Sequence, residues 1–454
     1  MNSMSIPQNE PVTSKPKPSV SLTLIPPSPA TDQIMLDIRA AVRNEDPSAR
    51  TFVVSVFLNE EAPGNRLHHE RLEVAGHAAA GIKFRWPTAG HAGDHTILVV
   101  ATCGDEIRRT ARPMRILSSP IRSTERIGGA WAGIYHWSEG EGLHWNADIK
   151  KMSDAQWREL VRGMHEVGMD IINIQELFRN EEYAGKQNIE KEGYKGLAFY
   201  PSKLYPGRMP IAAADPIEAI FDEADKLGMH VLPGIGMYAW FDYTPASLEW
   251  HIKVADELWE LYGHHTSFYG WKISEEGPGD LTCWGGDPER ERACLIDFFR
   301  RFGAHVRRLA PDKPVMVARS THGMRGAEDT YRELLKHLDI LCSFCFHRML
   351  PSDLLTGEEA ADILQSLCDE AGAHLWMNME VFLFENGGDT GSPLIPRPIE
   401  EVKSDLLRFP NFEKILCYQY PGLMTSPTAS IRLGGNEAVK LYLDYKHFLE
   451  KREI

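Results

Sequence analysis

The sequence of 454 residues lacks several features that would place it quickly. It has no uninterrupted apolar run of the roughly 20 residues that a membrane-spanning helix requires. Its opening stretch, Met1 to Ser19, carries prolines and lysines but no apolar segment of signal-peptide length. The expectation is a soluble, cytoplasmic protein with no membrane partner. Basic residues are in deficit, 49 Lys and Arg against 64 Asp and Glu, for a net charge of −15. Without a basic face there is no footing for nucleic acid, and an anionic lipid surface is equally disfavoured. The seven cysteines are scattered, at 103, 283, 294, 342, 345, 368 and 417. Cys342 and Cys345 form a C-x-x-C, but it lies inside an apolar run and has no second pair. That pattern predicts buried free thiols in a reducing compartment, not a zinc site. No glycine-rich phosphate turn follows the first predicted barrel strand, and no HxH or HExxH spacing occurs, so neither cofactor nor catalytic metal is expected. Nothing in the sequence specifies an oligomeric state.

What is present divides the chain. A hydrophobic content of 43% with 25% charged residues is that of a globular protein, and the length calls for more than one domain. Residues 1–18 read as a polar tail. Residues 19–118 hold short β-branched runs such as Thr51–Leu58 and His95–Thr102, separated by Gly, Pro, Asn and Asp. This spacing predicts a small immunoglobulin-like sandwich with an accessory role. From there to residue 454 the pattern alternates strand and helix. Strands are predicted at Gly128–Trp137, Met169–Phe178, Met229–Trp240, Ser267–Glu276, Pro314–Thr321, Asp339–His347, His374–Phe382 and Lys414–Tyr420. Eight strand–helix repeats predict a (β/α)8 barrel.

In such a barrel the chemistry collects at the C-terminal strand ends. There the sequence places Trp131, Tyr135 and His136 on the first strand and Gln175 on the second. Tyr238 and Trp240 follow on the third, Arg319 on the fifth, His347 on the sixth, and Tyr418 and Gln419 on the eighth. Aromatic faces beside directed amide, imidazole and guanidinium groups suit a carbohydrate cleft. The fourth strand ends in two carboxylates, Glu275 and Glu276. Side chains alternate along a strand, so Lys272, Ser274 and Glu276 share one face, and Trp271, Ile273 and Glu275 share the other. The polar set belongs to the barrel mouth, which favours Glu276 as the acid and leaves Glu275 as the alternative. Glu380 stands in the apolar run His374–Phe382, where a carboxylate is costly unless it is paired or functional.

The segments Gly270-Trp-Lys-Ile-Ser-Glu-Glu276 and Trp376-Met-Asn-Met-Glu380 resemble the clan A glycoside hydrolases, over roughly residues 128–452, and look closest to an uncharacterised group of bacterial barrels near that clan. The resemblance implies a retaining glycosidase with an acid/base glutamate ending strand four and a nucleophilic glutamate ending strand seven. Glu275 stands where the clan has Asn, and Phe346, His347 and Arg348 stand where it has an orienting Tyr. Arg319, His347 and Arg348 are the candidates to hold Glu380 charged. Two other readings compete: a barrel that binds carbohydrate without cleaving it, and a metal-dependent barrel hydrolase or isomerase using His136, His322, His347 and the glutamates.

Overall fold

The computed structural model describes residues 15–180, 196–204, 207–236, 242–282, 286–388 and 391–452. Eight strands between Val20 and Leu117 make two sheets. One contains Val20–Ile25, Met35–Arg43 and Ala79–Pro87. The other contains Ala30–Thr31, Glu106–Leu117, Gly93–Cys103, Arg50–Leu58 and Arg66–Val74. Their pairings are antiparallel, apart from the short parallel pair that Ala30–Thr31 makes with Glu106–Leu117. Leu22, Ile38 and Ile82 from one sheet share a core with Phe52, Val54 and Val99 from the other. Phe52, Val54 and Val56 are buried while Val53 and Ser55 between them are half-buried, as the period of two demands.

From Ile127 onward, parallel strands form a nearly closed barrel of nine segments. In chain order these are Ile127–Ala132, Ile171–Ile174, His230–Leu232 with Gly234–Ile235, Trp271–Ile273, Val315–Ser320, Ile340–Phe344, His374–Glu380 and Lys414–Tyr418. The two short segments either side of Pro233 end the hydrogen-bonded series. The first pairs with the second strand and the other with the fourth, so the sheet returns on itself across a residue that has no N–H to donate. Each strand stops short of its predicted C-terminal limit, because the ladder ends where the chain leaves for a loop although the apolar pattern continues. Gly129 lies where strands crowd: a Cβ there would come within 2.4 Å of the Ile171 carbonyl oxygen.

The helices between the strands begin and end on recognisable chemistry. Ser153 caps Asp154–His165 in a reciprocal box with Gln156. Asp215 caps Pro216–Leu227, which stops at Gly228 in the left-handed conformation. Their apolar faces and the outward faces of the strands form the larger core, with Trp271, Ile273, Val315 and Val317 among its members. Trp131, Ile171, Leu232, Met316, Cys342, Trp376 and Leu416 fill the barrel interior. The six described cysteines are free thiols, and all but the half-buried Cys294 are buried. Among the described residues no helix is long and apolar enough to cross a membrane.

The N-terminal sheets cover the barrel floor, the end where the strands begin. Ile25, fully buried, joins the barrel-interior cluster. Tyr269 donates its hydroxyl to the Leu24 carbonyl at 2.8 Å. Arg39 bridges Asp37 and Asp339, at 2.7 Å to each. His374, at the start of the seventh strand, lies between Glu413 at 2.6 Å and Asp37 at 3.6 Å.

Candidate active site

The fourth strand behaves as its alternation predicts. Lys272 and Ser274 point into the barrel, and both donate to the Gln175 carbonyl oxygen at 2.8 Å. The Lys272 ammonium also lies 5.5 Å from the centre of the Trp131 ring. Burial pushes Lys272 down to about 8, against the opposing pull of Glu176 and Glu276. Glu275 shares the outward alternation of Trp271 and Ile273 and is fully buried, and its carbonyl accepts the Tyr243 hydroxyl at 2.5 Å. Glu276 falls on the interior face, half-buried. Burial raises its carboxyl pKa; Lys272 opposes the rise, while the charges of Glu380 and Glu176 add to it. Gly277, the next residue, leaves room for the Arg319 guanidinium, which a Cβ would meet at 1.5 Å.

Glu380 ends the seventh strand on the same face as Trp376 and Asn378, buried to 4% exposure. Donors converge on it. Arg348 reaches Oε1 through Nε at 2.8 Å and through NH2 at 2.6 Å. The Cys345 backbone N–H reaches Oε2 at 3.2 Å, and His347 Nδ1 lies 3.3 Å from the same oxygen. These donors come from one turn. Cys345 takes a left-handed conformation after the sixth strand, and Phe346–Arg348 follow as a single 3-10 turn. Arg397 fixes the strand end by donating to the Glu380 carbonyl at 2.8 Å. Burial lowers the His347 pKa, and Glu380 pulls it back up.

The other predicted site residues fall in different places. Trp131 is fully buried in the barrel interior beside Lys272. His136 is buried, within 3.5 Å of Glu141 and near the Tyr418 ring, and burial pushes it down to about 4. Tyr418 is half-buried at the mouth; burial raises its hydroxyl pKa strongly, with Glu276 and Glu176 adding to the rise. Gln175 and Gln419 are buried on the interior side, and a Cβ at Gly133 would meet Gln419 Oε1 at 3.1 Å. Tyr135 turns from the mouth and packs against Phe199 and Arg179. Arg319 shares the outward alternation of Val317 and stacks 4.8 Å from the Tyr243 ring, so of the three candidates named to hold Glu380 it is the one that does not touch it. Tyr238 and Trp240 lie outside the described residues. His322 pairs with Asp353 at 2.7 Å. His136, His322 and His347 therefore do not converge on one point.

Several polar atoms at the mouth are buried without a hydrogen-bond partner among the described residues. These are both amide atoms of Asn173, Gln175 Oε1, Glu176 Oε2, Asn378 Oδ1 and Gln419 Nε2. Each such group costs about 1–3 kcal/mol unless something completes it. Glu176 was legible only as a polar residue at the end of the second strand, and Lys272 as an interior-face residue of the fourth. The Cys345 N–H and the Arg397 contact carried no sequence signal.

Residues 127–431 match the family described as "Domain of unknown function (DUF4434)", and the chain belongs to that family. No curated protein matches it. Among solved structures, a Bacteroides thetaiotaomicron protein provisionally described as an α-L-fucosidase has the same fold. It matches at TM-score 0.51 and 19% identity over 73% of this chain and 96% of its own. A GH2 β-galacturonidase from Eisenbergiella tayi matches at 0.40 and 12%, over 95% of this chain and 72% of its own. A Bacteroides uniformis β-glucuronidase matches at 0.40 and 10%, over 89% of this chain and 46% of its own. These structural neighbours are glycoside hydrolases.

Proposed function

We propose that this protein is a retaining glycoside hydrolase, built as a (β/α)8 barrel behind an immunoglobulin-like sandwich, with Glu276 as acid/base and Glu380 as nucleophile. The observation that carries the reading is the opposite treatment of two carboxyl groups on strands four and seven. Glu276 is pushed toward its protonated form, while Glu380 is met by Arg348, His347 and the Cys345 N–H. That division is what a displacement at an anomeric carbon needs. Glu380 attacks the anomeric carbon as the bond to the leaving oxygen breaks, and the Glu276 proton passes to that oxygen. Water, giving its proton to Glu276, then cleaves the glycosyl ester with the original configuration. The mouth's unpartnered amide and carboxyl groups are suited to sugar hydroxyls. The provisional fucosidase description of the structural neighbour agrees with this class, at the level of fold.

The test is a panel of aryl glycosides assayed by proton NMR for the anomer first released. Retained configuration, with turnover abolished in Glu380→Gln and restored by azide in Glu276→Ala, supports the assignment. Inverted product overturns the nucleophile role. Saturable sugar binding with no hydrolysis supports the non-cleaving barrel.

A further inference from the structure

A second cluster of metal-ligating side chains lies well away from the mouth. Glu218 is in the first turn of the helix Pro216–Leu227. His264 and His265 are in the turn between the helix Pro245–Tyr262 and the fourth barrel strand, on the floor side. One ligand atom from each of the three lies within 4.8 Å of the others. His265 is held on both sides, with Nε2 3.0 Å from Glu218 and Nδ1 2.8 Å from Asp225. Asp225 is itself fixed by the Ser267 N–H at 2.7 Å and the Thr266 hydroxyl at 3.0 Å. His264 stacks on His265 with ring centres 4.0 Å apart. Both His264 ring nitrogens are buried, and among the described residues the Leu261 carbonyl is the acceptor that acts on the ring.

An ion pair explains His265, Glu218 and Asp225, but it does not explain why His264 buries both ring nitrogens beside them with no side-chain partner among the described residues. We propose that Glu218, His264 and His265 bind a divalent zinc-class ion, with Asp225 as the outer acceptor that orients His265. Two imidazoles and one carboxylate suit zinc, whereas calcium and magnesium require more oxygens. A carboxylate behind a ligating histidine is the usual orienting partner. The metal takes the place of the proton held between His265 Nε2 and Glu218, so one proton is released per ion bound. Bonds of about 2.0–2.2 Å require the ligand atoms to close from their present spread, and the turn carrying His264 is the element that moves. Lys15, 3.0 Å from Glu218 and largely exposed, is displaced or shared.

The experiment uses the full-length protein, stripped with chelator and titrated with Zn2+ by calorimetry in two buffers of different ionisation enthalpy. The expected result is one saturable site, proton release visible as a buffer-dependent heat, and a raised Tm. His264→Ala and Glu218→Gln should each weaken binding at least tenfold, and Asp225→Asn by about 10–100-fold. Circular dichroism of each variant separates lost binding from lost fold, and His264→Gln replaces His264→Ala if that variant misfolds. The absence of saturable binding overturns the proposal, as does binding that survives His264→Ala unchanged.

Discussion

The two ends of the barrel differ in how their buried charges are met, although Asp37 Oδ1 and His374 Nε2 at the floor also lack a hydrogen-bond partner among the described residues. At the floor, charges answer one another across the seam with the N-terminal sheets. Arg39 bridges Asp37 and Asp339, and Arg307 adds a contact to Asp339 at 3.2 Å. Asp312 accepts from Thr23 at 2.9 Å, and Lys414 donates to the Pro29 carbonyl at 2.5 Å. At the mouth, Asn173, Gln175, Glu176, Asn378 and Gln419 leave polar atoms unpartnered among the described residues. A floor whose charges find partners buys stability. The mouth atoms that stand unpartnered among the described residues are those that the proposed sugar substrate would meet.

If this contrast is right, mouth substitutions should spare the fold and remove chemistry, and floor substitutions should do the reverse. The largest effect is expected from Glu380→Gln: turnover should fall by on the order of 10⁴-fold or more while urea unfolding stays cooperative. Near-wild-type turnover would break the comparison at its main point. Next comes Arg39→Leu, which removes the guanidinium that Asp37 and Asp339 share and leaves them His374 and Arg307 at longer range. It should cost about 3–5 kcal/mol in the urea midpoint and leave kcat of the folded protein unchanged. A parallel fall in kcat would show that the floor is wired to the chemistry.

Glu276→Gln should lower kcat/KM by about 10²–10⁴-fold on substrates with poor leaving groups and less on activated ones. In the wild type, an acid with a raised pKa works only while protonated. The alkaline limb of kcat/KM should therefore fall as pH rises through the raised Glu276 value, and should vanish in Glu276→Gln.

The floor has its own pH signature. Burial works against the charges of Asp37 and Asp339, but in each case the partners prevail and the pKa is lowered. Those partners are His374 and Arg39 for Asp37, and Arg39 and Arg307 for Asp339. Their stability is present above the unfolded carboxyl value of about 3.9 and is lost as pH falls toward the lowered one. His374 runs the other way. Burial disfavours its charge, yet Glu413 and Asp37 raise its pKa. Its contribution is full below about 6.5 and is lost as pH rises through the raised value. The urea midpoint should therefore crest in mildly acidic solution, and His374→Gln should flatten its alkaline side. The smallest effect is expected from Asn173→Leu. Removing two unpartnered amide atoms should leave stability within about 1 kcal/mol of wild type, or above it, while weakening sugar binding.

Much of the frame could be read in advance because it rests on local chemistry. Ser153, Asp215 and Thr356 announce helices through their caps, and the parity of Lys272, Ser274 and Glu276 put Glu276 on the inner face before any fold was known. The same parity argument, applied to Arg319, would have turned it away from the mouth, since Val315 and Val317 share its face. Tyr135 follows the end of the ladder at Ala132, where alternation no longer sets direction, so its packing against Phe199 and Arg179 could not be read in advance. Of the groups around Glu380, His347 and Arg348 could be named from the sequence as candidates, whereas the Cys345 N–H and the Arg397 contact could not. Arg348 arrives through the left-handed turn at Cys345, and the turn's path depends on how the sixth and seventh strands pair.

The sequence by itself determined the alternation of strand and helix, the inward face of each strand, and the presence of carboxyl groups at the ends of the fourth and seventh. These follow from rotations of 180° and about 100° per residue, which the chain carries locally. Only the tertiary structure decided which charges meet. The Arg39–Asp339 bridge spans 300 residues, and the one between Arg348 and Glu380 spans 32. Both form only once barrel closure and sheet packing bring distant segments together, and that closure is also what desolvates Glu276 and raises its pKa beside Glu380.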